Sequence, residues 1–163
     1  RPEVHWGQHK NREIYRSAFE HELIQQLTEQ DCFKQIVSAG GADLRLDVQL
    51  NDVDTEEEYS TNSSLLPGQG EEHLLLAAHA SVDLDYWLEP DSQGSVPILT
   101  NHVFRQIERQ PTGPGDPTVD RTIRELVKDA THWVARQLCE PREKLARKIS
   151  HALAPPAPGA SAP

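Results

Sequence analysis

"ADLRLDVQLNDVDTEEEYS" spans residues 42–60, and its reading decides the fold. Leu44, Leu46, Val48 and Leu50 alternate with the polar Arg45, Asp47 and Gln49. A period of two sends successive side chains to opposite faces, so the stretch reads as a strand with one buried face. We expect that strand from Asp43 to about Val53. It runs into an acidic cluster of Asp52, Asp54, Glu56, Glu57 and Glu58. From Thr55 to Glu71 the chain reads as a loop, because "STNSSLLPGQG" is rich in turn-forming residues.

Further along, "EEHLLLAAHASVDLDYWLEP" (71–90) repeats the alternation over a longer span. Leu74, Leu76, Ala78, Ala80, Val82, Leu84, Tyr86 and Leu88 share one face, while His79, Ser81, Asp83, Asp85 and Trp87 share the other. A strand of this length calls for a bulge or bend. "EPDSQGSVP" is a turn, and a third strand follows from Val96 to Glu108 with Ile98, Thr100, His102 and Phe104 on a common face. Strands in succession make an antiparallel meander. Val4 and Trp6 in "RPEVHW" alternate with Glu3 and His5, which permits a fourth strand at an edge.

Helices flank the strands. "NREIYRSAFEHELIQQLTEQ" (11–30) spaces Tyr15, Phe19, Leu23 and Leu27 by four, with Asn11 as a candidate cap. In "TVDRTIRELVKDATHWVARQL" (118–138), Val119, Ile123, Val127, Ala130 and Val134 form a stripe widened by Leu126, Trp133 and Leu138. Asp116 is its expected cap, with Pro117 at the first helical position. "PREKLARKISHAL" predicts a short, basic third helix. The fold class is α+β: an antiparallel sheet of three to four strands with two amphipathic helices packed on one face. Residues 1–153 are expected to form a single domain. Residues 154–163, "APPAPGASAP", form a Pro/Ala tail with nothing to bury, expected to be disordered.

The net charge is −10 over 163 residues, and it is unevenly spread. Between Asp43 and Asp91 thirteen acidic residues face Arg45 alone. Nucleic-acid binding needs the opposite sign and is disfavoured. No apolar run is long enough to span a membrane. The chain begins at Arg1 and holds no methionine, which reads as a processed or trimmed product, with loss of a signal peptide as one expected route. Cys32 and Cys139 read first as two buried thiols, with a bridge between the ends of two helices as the alternative.

No catalytic or cofactor signature is present: no nucleophile elbow, phosphate loop, HExxH, dinucleotide fingerprint or calcium loop. His79, Ser81 and Asp83 are alternate residues on one strand, ~7 Å apart in sequence, beyond the reach of a triad. Eight histidines are dispersed along the chain, and surface or core placement outweighs a metal role; His79 and His102 are candidates for pairing across the sheet. No enzyme activity, cofactor or metal is expected. What remains is a surface. The carboxylates Asp52, Asp54, Glu56, Glu57 and Glu58 should line up with Asp83 and Asp85 near Trp87, as a face for a cationic partner.

The segment "IYRSAFEHELIQQLTEQDCFKQIVSAGGADLRLDVQLNDVD", then "AAHASVDLDYWLEP", then "RTIRELVKDATHWVARQL" resembles small envelope lipoproteins of Gram-negative bacteria. The similarity is to auxiliary lipoproteins of ABC transport systems, the curli-channel periplasmic domain and the amino-terminal domain of TolB. It covers roughly residues 12–138 as a pattern of elements. The resemblance implies a non-enzymatic periplasmic accessory protein that binds a protein partner in an envelope transport or assembly complex. It would be held to the outer membrane only through a lipid anchor upstream of Arg1. The alternative is a soluble ligand-binding module for a cationic or sugar-like molecule.

Overall fold

A computed structural model of the chain describes residues 3–4, 9–37, 41–62, 72–92, 96–140 and 142–154. The elements run β1 (Glu3–Val4), α1 (His9–Gln30), β2 (Leu44–Asn62), β3 (Glu72–Pro90), β4 (Leu99–Arg109), α2 (Thr118–Cys139) and α3 (Arg142–Leu153). The sheet order is β1-β2-β3-β4, with every neighbour antiparallel. Three long strands carry the sheet, and β1 adds two residues against Glu56 and Glu57 of β2. The architecture is α+β, with α1 and α2 on one face of an antiparallel sheet. The tail beyond residue 154 lies outside the described residues.

Sequence phase explains how β2 keeps apolar residues on its inner face from Leu44 to Val53. Leu44, Leu46, Val48 and Leu50 lie opposite Pro90, Leu88, Tyr86 and Leu84, on the face toward the helices. The register then shifts between Leu50 and Asp52, and Asp52 lies opposite Asp83 and Val53 opposite Val82. An extra residue, Asn51, moves the apolar phase from even to odd positions. Val53 therefore stays on the core face and Asp52 and Asp54 turn away from it. β2 continues through the acidic cluster to Asn62, so Thr55 to Asn62 belong to a strand and not to the expected loop. Cross-strand pairing with β3 overrides the turn-rich composition that follows.

The core joins α1, α2 and the inner face of β3. Phe19, Leu23 and Leu27 of α1 pack with Val82, Leu84, Tyr86 and Leu88 of β3, Val103 of β4 and Leu126, Ala130, Val134 and Leu138 of α2. Leu46, Val48 and Val127, expected in the core, are half-buried at its margin. A second register shift lies between Glu58 and Tyr59, where Leu74 and Leu76 of β3 are exposed instead of core-facing. On β4 the core side is Leu99, Val103 and Ile107. Thr100, His102 and Phe104 occupy the opposite face, and Phe104 is 56% exposed. Tyr86 is fully buried, yet its hydroxyl donates to Gln137 Oε1 at 2.7 Å and accepts from Asn101 Nδ2 at 2.9 Å. A satisfied phenol is tolerated in the core where a lone one is costly.

The buried stripe of α2 is displaced from the expected one. It runs through Thr118, Thr122, Leu126, Ala130, Val134 and Leu138. Val119, Ile123 and Val127 flank it. Thr122 and Thr131 donate their hydroxyls to the carbonyls of Thr118 (2.6 Å) and Val127 (2.7 Å), which makes buried threonine acceptable. Helix α1 starts at His9, before the expected Asn11 cap. Pro117, not Asp116, is the N-cap of α2, and no side chain caps that end. Asp116 instead accepts from the Thr118 hydroxyl (2.8 Å) and Arg121 (2.9 Å), which hold its carboxyl below the usual range.

Cys32 and Cys139 form a disulfide with their Cα atoms 5.7 Å apart, correcting the reading of two thiols. Cys32 follows the end of α1, and Cys139 is the last residue of α2. The bond fastens the two helices at their C-terminal ends. α3 then lays Leu145 and Ile149 against the core and leaves Arg142, Lys144, Arg147 and Lys148 exposed.

Candidate binding face

Helices cover one side of the sheet, and no described element covers the other. Antiparallel pairing writes that open face as five cross-strand rows. Trp87 lies between Asp47 and Thr100, Asp85 between Gln49 and His102, and Asp83 between Asp52 and Phe104. Ser81 lies between Asp54 and Gln106, and His79 between Glu56 and Glu108. Glu58 follows opposite Ala77. The structure thus brings together Asp52, Asp54, Glu56, Glu58, Asp83, Asp85 and Trp87.

Glu57 is the exception. It lies opposite Ala78 on the helix side of the sheet, and the Tyr59 hydroxyl donates to it. Consecutive strand residues point to opposite faces, so three adjacent glutamates cannot all join one site. Sequence reading placed His79 on this face of β3 but passed over Asp47, Glu108 and His102 as its members. Their alternation with core residues was visible, but which strands sit side by side, and in what register, was not.

The carboxylates are not left to repel one another everywhere. Asn51, the residue added at the bulge, donates its amide to Asp83 Oδ1 (3.0 Å) and Asp85 Oδ2 (2.8 Å). His102 Nδ1 lies 2.8 Å from Asp85 Oδ1, and its Nε2 is 3.6 Å from Asp83 Oδ1. The hydrogen bond from Asn51, and next that from His102, holds the Asp85 carboxyl below the ordinary carboxylate range. The bond to Asp85 raises the His102 imidazole above the ordinary histidine value, with both carboxylates adding to it. His79 and His102 do not pair with each other. His79 sits instead between Glu58 (3.7 Å) and Glu108 (3.6 Å).

Between β2 and β4 a shallow groove of about 390 Å³ runs over β3, lined by Asp54, Glu56, His79, Ser81, Gln106 and Glu108. Asp54 Oδ1 is buried there and has no hydrogen-bond partner among the described residues. A buried acceptor without a donor costs free energy until something supplies one. At the other end of the face Arg45 binds Asp47 (2.8 Å) and Glu89, which neutralises that corner. The excess negative charge therefore sits over the groove and the central rows.

Among the described residues no cluster of three or more His, Cys, Asp or Glu side chains is arranged to hold a metal ion. No described helix is long and apolar enough to cross a membrane. No family model matches the chain, and no curated protein matches it. Among solved structures the chain is similar to a Caulobacter crescentus protein provisionally named a lipoprotein. The identity is 11% and the TM-score 0.46, over 84% of this chain and 87% of that one.

Proposed function

We propose that this chain is a non-enzymatic accessory protein of a bacterial envelope, and that its open sheet face binds a basic segment of a protein partner. The observation that carries the reading is the buried, unpartnered Oδ1 of Asp54, a residue that lines a groove together with Glu56 and Glu108. A lysine or arginine side chain supplies both the missing donor and the missing positive charge. Trp87, Gln106 and Ser81 add an apolar ring and neutral polar groups beside the carboxylates, a mixture suited to peptide recognition. The disulfide supports an oxidising compartment such as the periplasm.

The test uses oligolysine as a defined probe, followed by capture from an envelope extract. Asp54→Asn with Glu56→Gln and Glu58→Gln should weaken oligolysine binding at least about tenfold and flatten its decline with salt. Glu57→Gln, on the other face, should leave both unchanged. A loss from Glu57→Gln of about one third that of the triple variant in free energy would mean that only net charge matters, and the groove reading would fall. A cationic small molecule is the second reading, favoured if oligolysine is ignored while a monovalent amine protects the wild-type protein against heat.

A further inference from the structure

We infer that β4 is a pairing edge for a second copy of this chain, joined about a two-fold axis through Phe104. Among the described residues β4 pairs with β3 alone. It is 11 residues long, holds neither Pro nor Gly, and keeps an unbroken register with its neighbour. Natural sheets usually blunt such an edge with short length, proline, bulges or inward charges. The inward charges here are Arg105 and Arg109, and both are already used. Arg105 binds Asp129 through two hydrogen bonds (2.7 and 3.1 Å) and lies 4.9 Å from the Trp133 ring. Arg109 binds Glu125.

The exposed aromatic at the strand's centre argues for a second copy of the same strand. Phe104 is the central residue of Leu99–Arg109 and is exposed on the open face. An antiparallel pair of β4 strands centred there sets Phe104 against Phe104 of the second copy, an aromatic cross-strand pair. His102 then meets Gln106, Thr100 meets Glu108, and Val103 meets Arg105, with no like charges opposed. Centring the axis on Arg105 or His102 instead would oppose two arginines or two histidines. Two four-stranded sheets would become one continuous sheet, with both acidic faces on the same side.

The pairing and the binding of a basic partner respond oppositely to salt. Each copy carries −10, so screening strengthens the dimer while it weakens attraction to a cation. The test is oxidative cross-linking of Phe104→Cys and Gln106→Cys in the full chain, with sedimentation of the unmodified protein. Cross-strand partners lie ~4.5–5.5 Å apart at Cα, within disulfide range, so Phe104→Cys should couple to itself. The two copies of residue 106 are displaced by four positions, ~13 Å along the strands, and should not couple. Unmodified protein should sediment as a dimer, more completely at high salt, and Phe104→Lys as a folded monomer by circular dichroism. A monomer at every salt and concentration, or equal coupling of both cysteine variants, would overturn the inference.

Discussion

His102 on β4 holds its Nδ1 2.8 Å from Oδ1 of Asp85 on β3, so an edge-strand imidazole closes a pair of carboxylates on the central strand. The imidazole's folded pKa is raised and the carboxyl's is lowered. The histidine's contribution to stability is full below its ordinary value of 6.5 and fades as pH rises through the raised folded value. The Asp85 contribution is present above its ordinary 3.8 and is lost as pH falls through the lowered value. Melting temperatures of wild type and His102→Asn should therefore differ below pH 6.5 and converge as pH rises beyond the raised folded value. A gap of the same size at both would remove the imidazolium–carboxylate account.

Asn51 supplies donors to two acids, and Asn51→Asp would replace those donors with a third charge. The variant should be destabilised, and the loss should shrink as ionic strength rises past the range where the Debye length falls below ~8 Å. Denaturant midpoints at low and high salt check this. A salt-independent loss would assign Asn51 to backbone geometry at the bulge alone.

Leu84 has no exposed surface and Leu46 is half-buried at the margin of the core. Leu84→Ala should cost about 2–5 kcal/mol by chemical denaturation. Leu46→Ala should cost roughly half as much, since less apolar area leaves water at that site. Equal costs would place the two leucines in the same environment, against the observed burial.

The Cys32–Cys139 bond closes a loop of sequence separation 107. Replacing both cysteines by serine should lower stability by about 2–5 kcal/mol, because the unfolded chain regains the freedom the bond removes. The same shift should follow reduction of the wild-type protein. An unchanged denaturant midpoint in reductant would show that the helices hold their ends together unaided.

The strands and helices were legible because period two in Leu44–Leu50 and Ala78–Leu88, and spacing of four in Phe19–Leu27, are local signals. The bulge was legible in hindsight, as the step from Leu50 to Val53 that breaks parity. Thr118, Thr122 and Thr131 hid the true stripe of α2, since threonine is counted polar until its hydroxyl bonds back to the helix. Glu57 was misplaced because reading the cluster as a loop discarded alternation. The pairing of Cys32 with Cys139, and the meeting of His79 with Glu108, depend on which elements become neighbours, and no local pattern carries that.

The disulfide also divides the molecule mechanically. All of β2, β3, β4 and α2 lie between Cys32 and Cys139, whereas β1, α1 and α3 lie outside. A pull applied at the two ends of the chain first strips β1 from β2, then passes from α1 through the sulfur bridge into α3 and bypasses β2, β3 and β4. The load would unravel the two flanking helices while the acidic face kept its shape. Reduction would open a further reserve of extension, roughly 350 Å for a separation of 107 residues. The redox state of one bond thus decides whether tension on the chain can reach β2, β3 and β4.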